Sequence, residues 1–245
     1  SVEAKLRIRH YDGSDNLVDI DMSNGKLLGP GGTGTLEWTV PATGHQPIAE
    51  IGIVLTAPQG RANGRVLVDT LTWDGCPDVT FKRPDGGGDF WRRAWVSNVH
   101  FFSKKFPQDF RISQNRGEGM ILQGTRDWTD YAIEADMMLH LGDCGGLVIR
   151  AEGQRRYYAA LVTRKGELQI VCRKDEKQTV LASAPLRVEF ETRFTMRFAA
   201  KGGKLLAKVG ETVVEADDQT FGGGSGGLII HEGALSATRI HVGAA

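Results

Sequence analysis

Tyr131-Ala132-Ile133-Glu134-Ala135-Asp136-Met137-Met138-Leu139 alternates from end to end. Tyr131, Ile133, Ala135 and Met137 alternate with Ala132, Glu134, Asp136 and Met138, the period of a strand with one face buried. Outward from it the same period recurs. Downstream it runs through residues 146–151, 157–163, 168–173 and 178–182, then 192–200, 204–209, 211–216, 227–231 and 237–242. Hairpin signals stand between them at Lys165-Gly166, Gly202-Gly203 and Gly210. Upstream, residues 4–9, 17–22, 35–40, 48–56 and 64–73 alternate as well. This spacing of turns predicts an all-β chain and leaves no room for helices of about ten residues or more.

Glycine usage agrees, with 32 of 245 residues against 8 prolines, because tight turns need positive φ without a Cβ penalty. A break falls at Arg83-Pro84-Asp85-Gly86-Gly87-Gly88-Asp89, followed by the aromatic segment Phe90-Trp91-Arg92-Arg93-Ala94-Trp95. The expected organisation is two tandem antiparallel β-sandwiches (jelly rolls), residues 1–84 and 98–245, joined by a pinned linker, 85–97. Trp38 and Trp73 are expected in the core of the first sandwich, and Trp91 and Trp95 between the two.

Thirty basic and thirty acidic residues cancel, which argues against a nucleic-acid partner needing a basic face. No run approaches the ~18 apolar residues of a membrane helix. Cys76, Cys144 and Cys172 are far apart and lack C-x-x-C spacing, so they predict neither a zinc site nor a disulfide framework. The six histidines show no H-E-x-x-H or paired spacing, and no G-x-S-x-G elbow occurs.

Four stretches carry a resemblance: Trp128-Thr129-Asp130-Tyr131, Gly145-Gly146-Leu147-Val148-Ile149-Arg150, Tyr157-Tyr158-Ala159-Ala160-Leu161-Val162, and the closing Phe221 to Leu228 segment. In this order they resemble the laminin-G/concanavalin-like sandwiches over residues 117–242. The first half, with its ending at residues 64–75, is similar to a galactose-binding-like jelly roll. Together with the F-W-R-R-A-W-V segment and the G-E-G-M-I-L-Q-G-T-R-D-W stretch, the pair resembles the C-terminal accessory region of some bacterial ADP-ribosylglycohydrolase-family proteins. That resemblance implies an appendage of a larger enzyme, and the catalytic domain of that family has no counterpart in these residues.

Glycoside hydrolysis needs two carboxylates about 5 to 9 Å apart. Glu134 and Asp136 share a strand face, in an E-x-D spacing similar to that of some concanavalin-fold glucanases, yet the expected further carboxylate is replaced by Met137 and Met138. The 3-keto-disaccharide hydrolase-like group, which shares the G-L-x-x-R strand, has an acidic residue after the aromatic one; here Ala159 follows Tyr158. The leading expectation is therefore a non-catalytic region that binds a glycan or an ADP-ribose-related molecule. A glycoside-processing enzyme and a structural or protein-interaction module remain open as alternatives. The candidate ligand-binding residues are Arg150, Tyr158, Trp128, His140, Glu134 and Asp136, because sugars are held by aromatic faces and planar polar groups. The resemblance sets Tyr158 as the sheet-facing partner of Arg150. No cofactor is expected beyond a possible structural calcium ion, for which the resemblance implies Asp69 as a ligand, with Asp217-Asp218 in a second candidate loop.

Overall fold

The computed structural model describes residues 1–61, 63–106 and 110–245. Among the described residues the chain is all-β apart from one short 3-10 turn, Phe90–Ala94. It divides into two compact units: residues 1–73 with 84–94, and residues 74–83 with 95–245.

The first unit is built on β1 (Val2–Tyr11), which turns at residues 12–16 into β2 (Leu17–Asp19). The Asp12 carboxylate fixes that turn by accepting the backbone N–H of Ser14 at 2.8 Å and of Asn16 at 2.9 Å. β3 (Lys26–Leu28) and β2 pair the two ends of one edge of β1, and β4 (Ile48–Thr56) pairs its other edge. Asp15 accepts from the N–H groups of Asp89 and Phe90, each at 2.8 Å, and so caps the 3-10 turn that carries buried Trp91. Phe90 meets Tyr11 edge-on at 4.8 Å.

The strands expected over residues 35–40 and 64–73 do not form, and both stretches run as irregular chain. Alternation makes a strand only where a sheet edge accepts its hydrogen bonds. Both edges of β1 are already taken, and residues 64–73 lie in solvent, with Leu67 87% exposed. Trp73, expected in the core, is 60% exposed.

The second unit begins with β5 (Val79–Phe81) and continues with β6 (Val96–Ser97), β7 (Phe101–Phe102), β8 (Phe110–Gln123), β9 (Tyr131–Leu141) and β10 (Cys144–Gly153). There follow β11 (Arg156–Thr163), β12 (Glu167–Lys174), β13 (Lys177–Pro185), β14 (Arg193–Lys201), β15 (Lys204–Val209), β16 (Thr212–Asp217) and β17 (Ser225–Ala244). The path β13-β12-β11-β10-β17-β9-β14-β15-β16 is antiparallel throughout. It folds back on itself, so that β12 packs on β15 and β16, and β13 on β16. The result is a sandwich.

The fold-back happens inside β17. Its first half, to His231, pairs β10, and its second half, from Ala234, pairs β9. The corner between them is Glu232-Gly233, with Glu232 at φ +46°. Gly233 is required there, since a Cβ would lie 1.9 Å from the Leu141 carbonyl oxygen. Between the two layers lie Ile133, Met137, Leu139, Leu147, Ile149, Phe198, Leu228, Ile230 and Leu235, all buried. Each such side chain contributes about 1.5–3 kcal/mol on leaving water. A separate aromatic group closes one end, where Trp95 packs on Phe81 (5.0 Å), Phe110 (5.2 Å) and Phe102 (6.2 Å).

Candidate functional site

The register of the front layer sorts its side chains. Met120, Ile229, Leu161 and Gln169 share one row across the sheet, with Gly146 between Ile229 and Leu161. The next row reads Leu122, Gly227, Val148, Ala159 and Val171. On the other side lie Glu118, His231, Cys144, Thr163 and Glu167, and Tyr157 stands opposite Arg173. Facing residues of paired strands point the same way, so these rows form one face. It is the outer one, because the intervening Gly145 faces Leu139 and Leu235 inside the sandwich.

This outer face has a buried apolar floor of Met120, Leu122, Val148, Ala159, Leu161, Val171 and Ile229. Half-buried polar residues stand around it: Glu118, Thr163, Glu167, Gln169 and Arg173. Gln169 donates to Glu167 at 2.7 Å, and Arg173 donates to the Asp175 carbonyl at 2.7 Å. Tyr157 is fully buried in the same cluster, and its hydroxyl has no hydrogen-bond partner. Burial first, then the charge of Glu118, raises its pKa well above the usual phenol range. Glu118 is the neighbouring carboxylate that acts on the phenol.

Tyr158, the sequence candidate, points the other way, as strand alternation demands. It is fully buried, meets Phe221 edge-on at 5.3 Å, donates to Asp218 and accepts the Phe221 N–H at 3.1 Å. Burial and the bond to Asp218 raise its pKa. Arg150 is 2% exposed at φ +47°. Its guanidinium donates to the carbonyls of Thr129 (2.8 Å), Gly202 (2.8 Å) and Phe221 (3.2 Å) and to Asp130 (3.0 Å). Its backbone N–H donates to the Tyr131 hydroxyl at 2.8 Å, which donates onward to Gly224 at 2.9 Å. Half-buried Trp128 packs edge-on against Tyr131 at 5.7 Å. Arg150, Tyr158 and Trp128 therefore come together, but as a lock on the loops at one end of the sandwich. The expectation that Arg150 and Tyr158 face a ligand is corrected: their polar atoms are consumed by the fold.

Glu134, Asp136 and His140 lie on the outer face of the other layer. Asp136 accepts from Thr195 at 2.7 Å and from Arg239 at 2.5 Å. Burial pushes its pKa up, but these partners outweigh it and hold the carboxyl low. His140 bridges Glu191, 2.8 Å from Nδ1, and the Ser236 hydroxyl, 2.9 Å from Nε2. This has the connectivity of a serine–histidine–acid relay. Ser236, however, is 1% exposed in the middle of the sheet, paired to Arg111 on one side and Met138 on the other. A nucleophile there has no approach for a substrate carbonyl and no strained turn to present it.

Asp69, the expected calcium ligand, is exposed on irregular chain and joins no group of converging donors among the described residues. Asp143, His231 and Glu232 do converge, with one donor atom from each within 4.8 Å of the others. They sit at the corner where β17 changes layers. No spacing in the sequence announces this group, because its members are brought together by a bend. Tyr157 and Glu118 were likewise passed over, although strand alternation in Tyr157-Tyr158 carried the signal that one of the two faces outward.

An all-β antiparallel sandwich of jelly-roll type, with a polar-rimmed outer face, is the class of module that the second unit defines. No protein-family model matches the chain, and no curated protein matches it in sequence. Among solved structures it is similar to the carbohydrate-binding module CBM66 from Bacillus subtilis. The TM-score is 0.56 at 17% identity, over 62% of this chain and 96% of that one. It is also similar to the GH43 protein BlXynB from Bacillus licheniformis, with TM-score 0.51 and 12% identity. That match covers 73% of this chain and spans only 41% of the GH43 protein. At these identities the likeness is one of fold.

Proposed function

We propose that the second unit is a carbohydrate-binding module that receives its glycan on the outer face formed by β8, β17, β10, β11 and β12. The observation that carries this reading is the ring of half-buried Glu118, Thr163, Glu167, Gln169 and Arg173 around a floor kept low by Gly146, Gly227 and Ala159. Carboxylate, amide and guanidinium groups bridge neighbouring sugar hydroxyls in pairs. The likeness of fold to a carbohydrate-binding module, over 62% of the chain, supports the same reading.

Binding is favoured over glycoside hydrolysis. Asp136, one of the two carboxylates suited to acid–base work by spacing, is neutralised by Arg239, and its lowered pKa suits neither a proton donor nor a base poised near neutrality. The proposal extends to the setting of the chain as an appendage of a larger hydrolase, with ADP-ribose as one ligand to be tried; the resemblance of residues 90–96 and 117–128 supports that part.

The test is a glycan-array and ADP-ribose screen of the whole chain, followed by calorimetry on any hit. Glu118→Gln and Gln169→Ala are expected to weaken binding at least about tenfold each, since each removes a paired hydrogen bond to a hydroxyl. A hit whose affinity is the same in both variants would place the site elsewhere, and no hit would end the reading.

A further inference from the structure

The first unit leaves one long strand edge open. β4 pairs with β1 along one side only, and among the described residues no strand or loop backbone pairs its other side. Ile48, Ile51 and Leu55 of this strand are exposed. An open edge is a row of unpaired N–H and C=O groups, which proteins blunt with lysine, proline, short strands or a covering element. The other edges are blunted in these ways. β2 and β3 are three residues long, and β13 starts at Lys177, ends at Pro185 and packs on β16. β4 carries neither lysine nor proline, and its sole charge, Glu50, is paired with Arg9 at 3.2 Å. A register shift opposite Arg9 and His10 interrupts one end, so the regular open edge runs from Glu50 to Thr56.

That stretch is complementary to itself. Ile51, Ile53 and Leu55 stand opposite Ile8, Leu6 and Ala4 of β1, so they share the sheet face on which Ala4 and Ile8 are buried. Laid antiparallel on a second copy about Ile53, its midpoint, the strand sets Ile53 against Ile53 and Ile51 against Leu55 twice. Glu50 then meets Thr56, and Gly52 meets Val54. The two Glu50 carboxylates stand about 20 Å apart along the joint, beyond the screening length of physiological salt. A slip of one residue would turn the apolar face of one copy onto the opposite face of the other, which fixes the register.

We propose that the open edge of β4 is a contact surface for a second copy of this chain, the two strands pairing antiparallel about Ile53 into one continuous sheet. Such a contact is the same on both copies and closes at two. The backbone ladder supplies the attraction, and the Ile51–Leu55 pairs supply the register. The proposal is independent of the glycan reading; on that reading a dimer carries two glycan faces and gains avidity for a repeating polymer.

Sedimentation velocity of the whole chain from about 1 to about 100 μM is the first measurement, a range suited to a small contact. Mass is expected to rise from one chain toward two. Ile51→Lys is expected to weaken the association at least about tenfold, because it sets a lysine against Leu55 at two places in the joint. Ile51 is exposed, and circular dichroism checks that each variant is folded. In a Cys76→Ser background, which removes an exposed thiol, Ile53→Cys places two cysteines opposite each other within disulfide reach. Oxidation should link them at least about tenfold faster than in Val213→Cys, whose cysteine stands exposed on β16. A single-chain mass throughout overturns the proposal. So does a dimer that Ile51→Lys leaves intact, or cross-linking no faster than that of Val213→Cys.

Discussion

Arg150 and Asp130 form an ion pair at 3.0 Å in which the arginine side chain is 2% exposed and the aspartate 52%. The pair is lopsided: the buried member serves the loops and the exposed member neutralises it. Asp130 also accepts the Gly202 N–H at 2.9 Å, so one carboxylate orients both the arginine and the loop the arginine holds. Replacing Arg150 with Met leaves the carbonyls of Thr129, Gly202 and Phe221 without donors. The expected cost is about 3–5 kcal/mol, read as a drop in denaturation midpoint. Asp130→Asn keeps the bonds and loses the charge, and about 1 kcal/mol is expected. Equal losses in the two variants would contradict this division of roles.

Tyr157 and Tyr158 are predicted to respond oppositely to the same substitution. Tyr158→Phe removes bonds to Asp218 and to the Phe221 N–H and is expected to cost about 1–2 kcal/mol. Tyr157→Phe removes a buried hydroxyl without a partner, and stability is expected to stay level or rise by up to about 1 kcal/mol. Urea unfolding of the two variants side by side decides it.

The acid limb of stability follows from Asp218 and Asp136. Burial raises both carboxyls, but hydrogen bonds from Tyr158 and Thr220, and from Thr195 and Arg239, outweigh it and leave both below the usual range. A lowered folded pKa stabilises the protein above the unfolded value, near pH 4, and that stability is lost as pH falls through the folded value. Denaturation midpoints should therefore hold from pH 7 to about 4 and fall below it. In Tyr158→Phe the fall should be shallower, because one of the bonds that depress Asp218 is gone.

The Ser236–His140–Glu191 relay is predicted to be structural. Ser236→Ala should lower stability by about 1–2 kcal/mol. Wild type should release p-nitrophenol from p-nitrophenyl acetate no faster than Ser236→Ala does. Faster release by wild type would reopen the enzymatic reading.

Gly146 is predicted to be irreplaceable. A Cβ there would lie 1.8 Å from the Ala160 carbonyl oxygen, a backbone atom held in the sheet. Gly146→Ala should separate β10 from β11 and cost several kcal/mol, on the order of a core cavity mutation. The comparison variant Gly153→Ala, where the space is open, should be near neutral.

Much of the second unit was legible in the alternation of residues 131–242, since period two states which side chains share a face whatever the strand order. Candidate residues were harder. Glu134 and Asp136 were read correctly as sharing a face, because that needs one strand only. Arg150 and Tyr158 were read as ligand-facing, but their partners come from loops at residues 128–131, 202 and 218–224, and no local spacing announces those contacts. The first unit shows the opposite limit, where residues 35–40 and 64–73 alternate well yet find no sheet edge.

Residue type and period alone carried the all-β class, the balanced charge and the sorting of side chains between the two faces of each strand. Only the tertiary structure decided which tyrosine faces outward, what Arg150 is for, and that Asp143, His231 and Glu232 meet. Those outcomes rest on strand register and on one bend in β17, where contacts between distant segments and the closeness of Gly233 to Leu141 set the geometry.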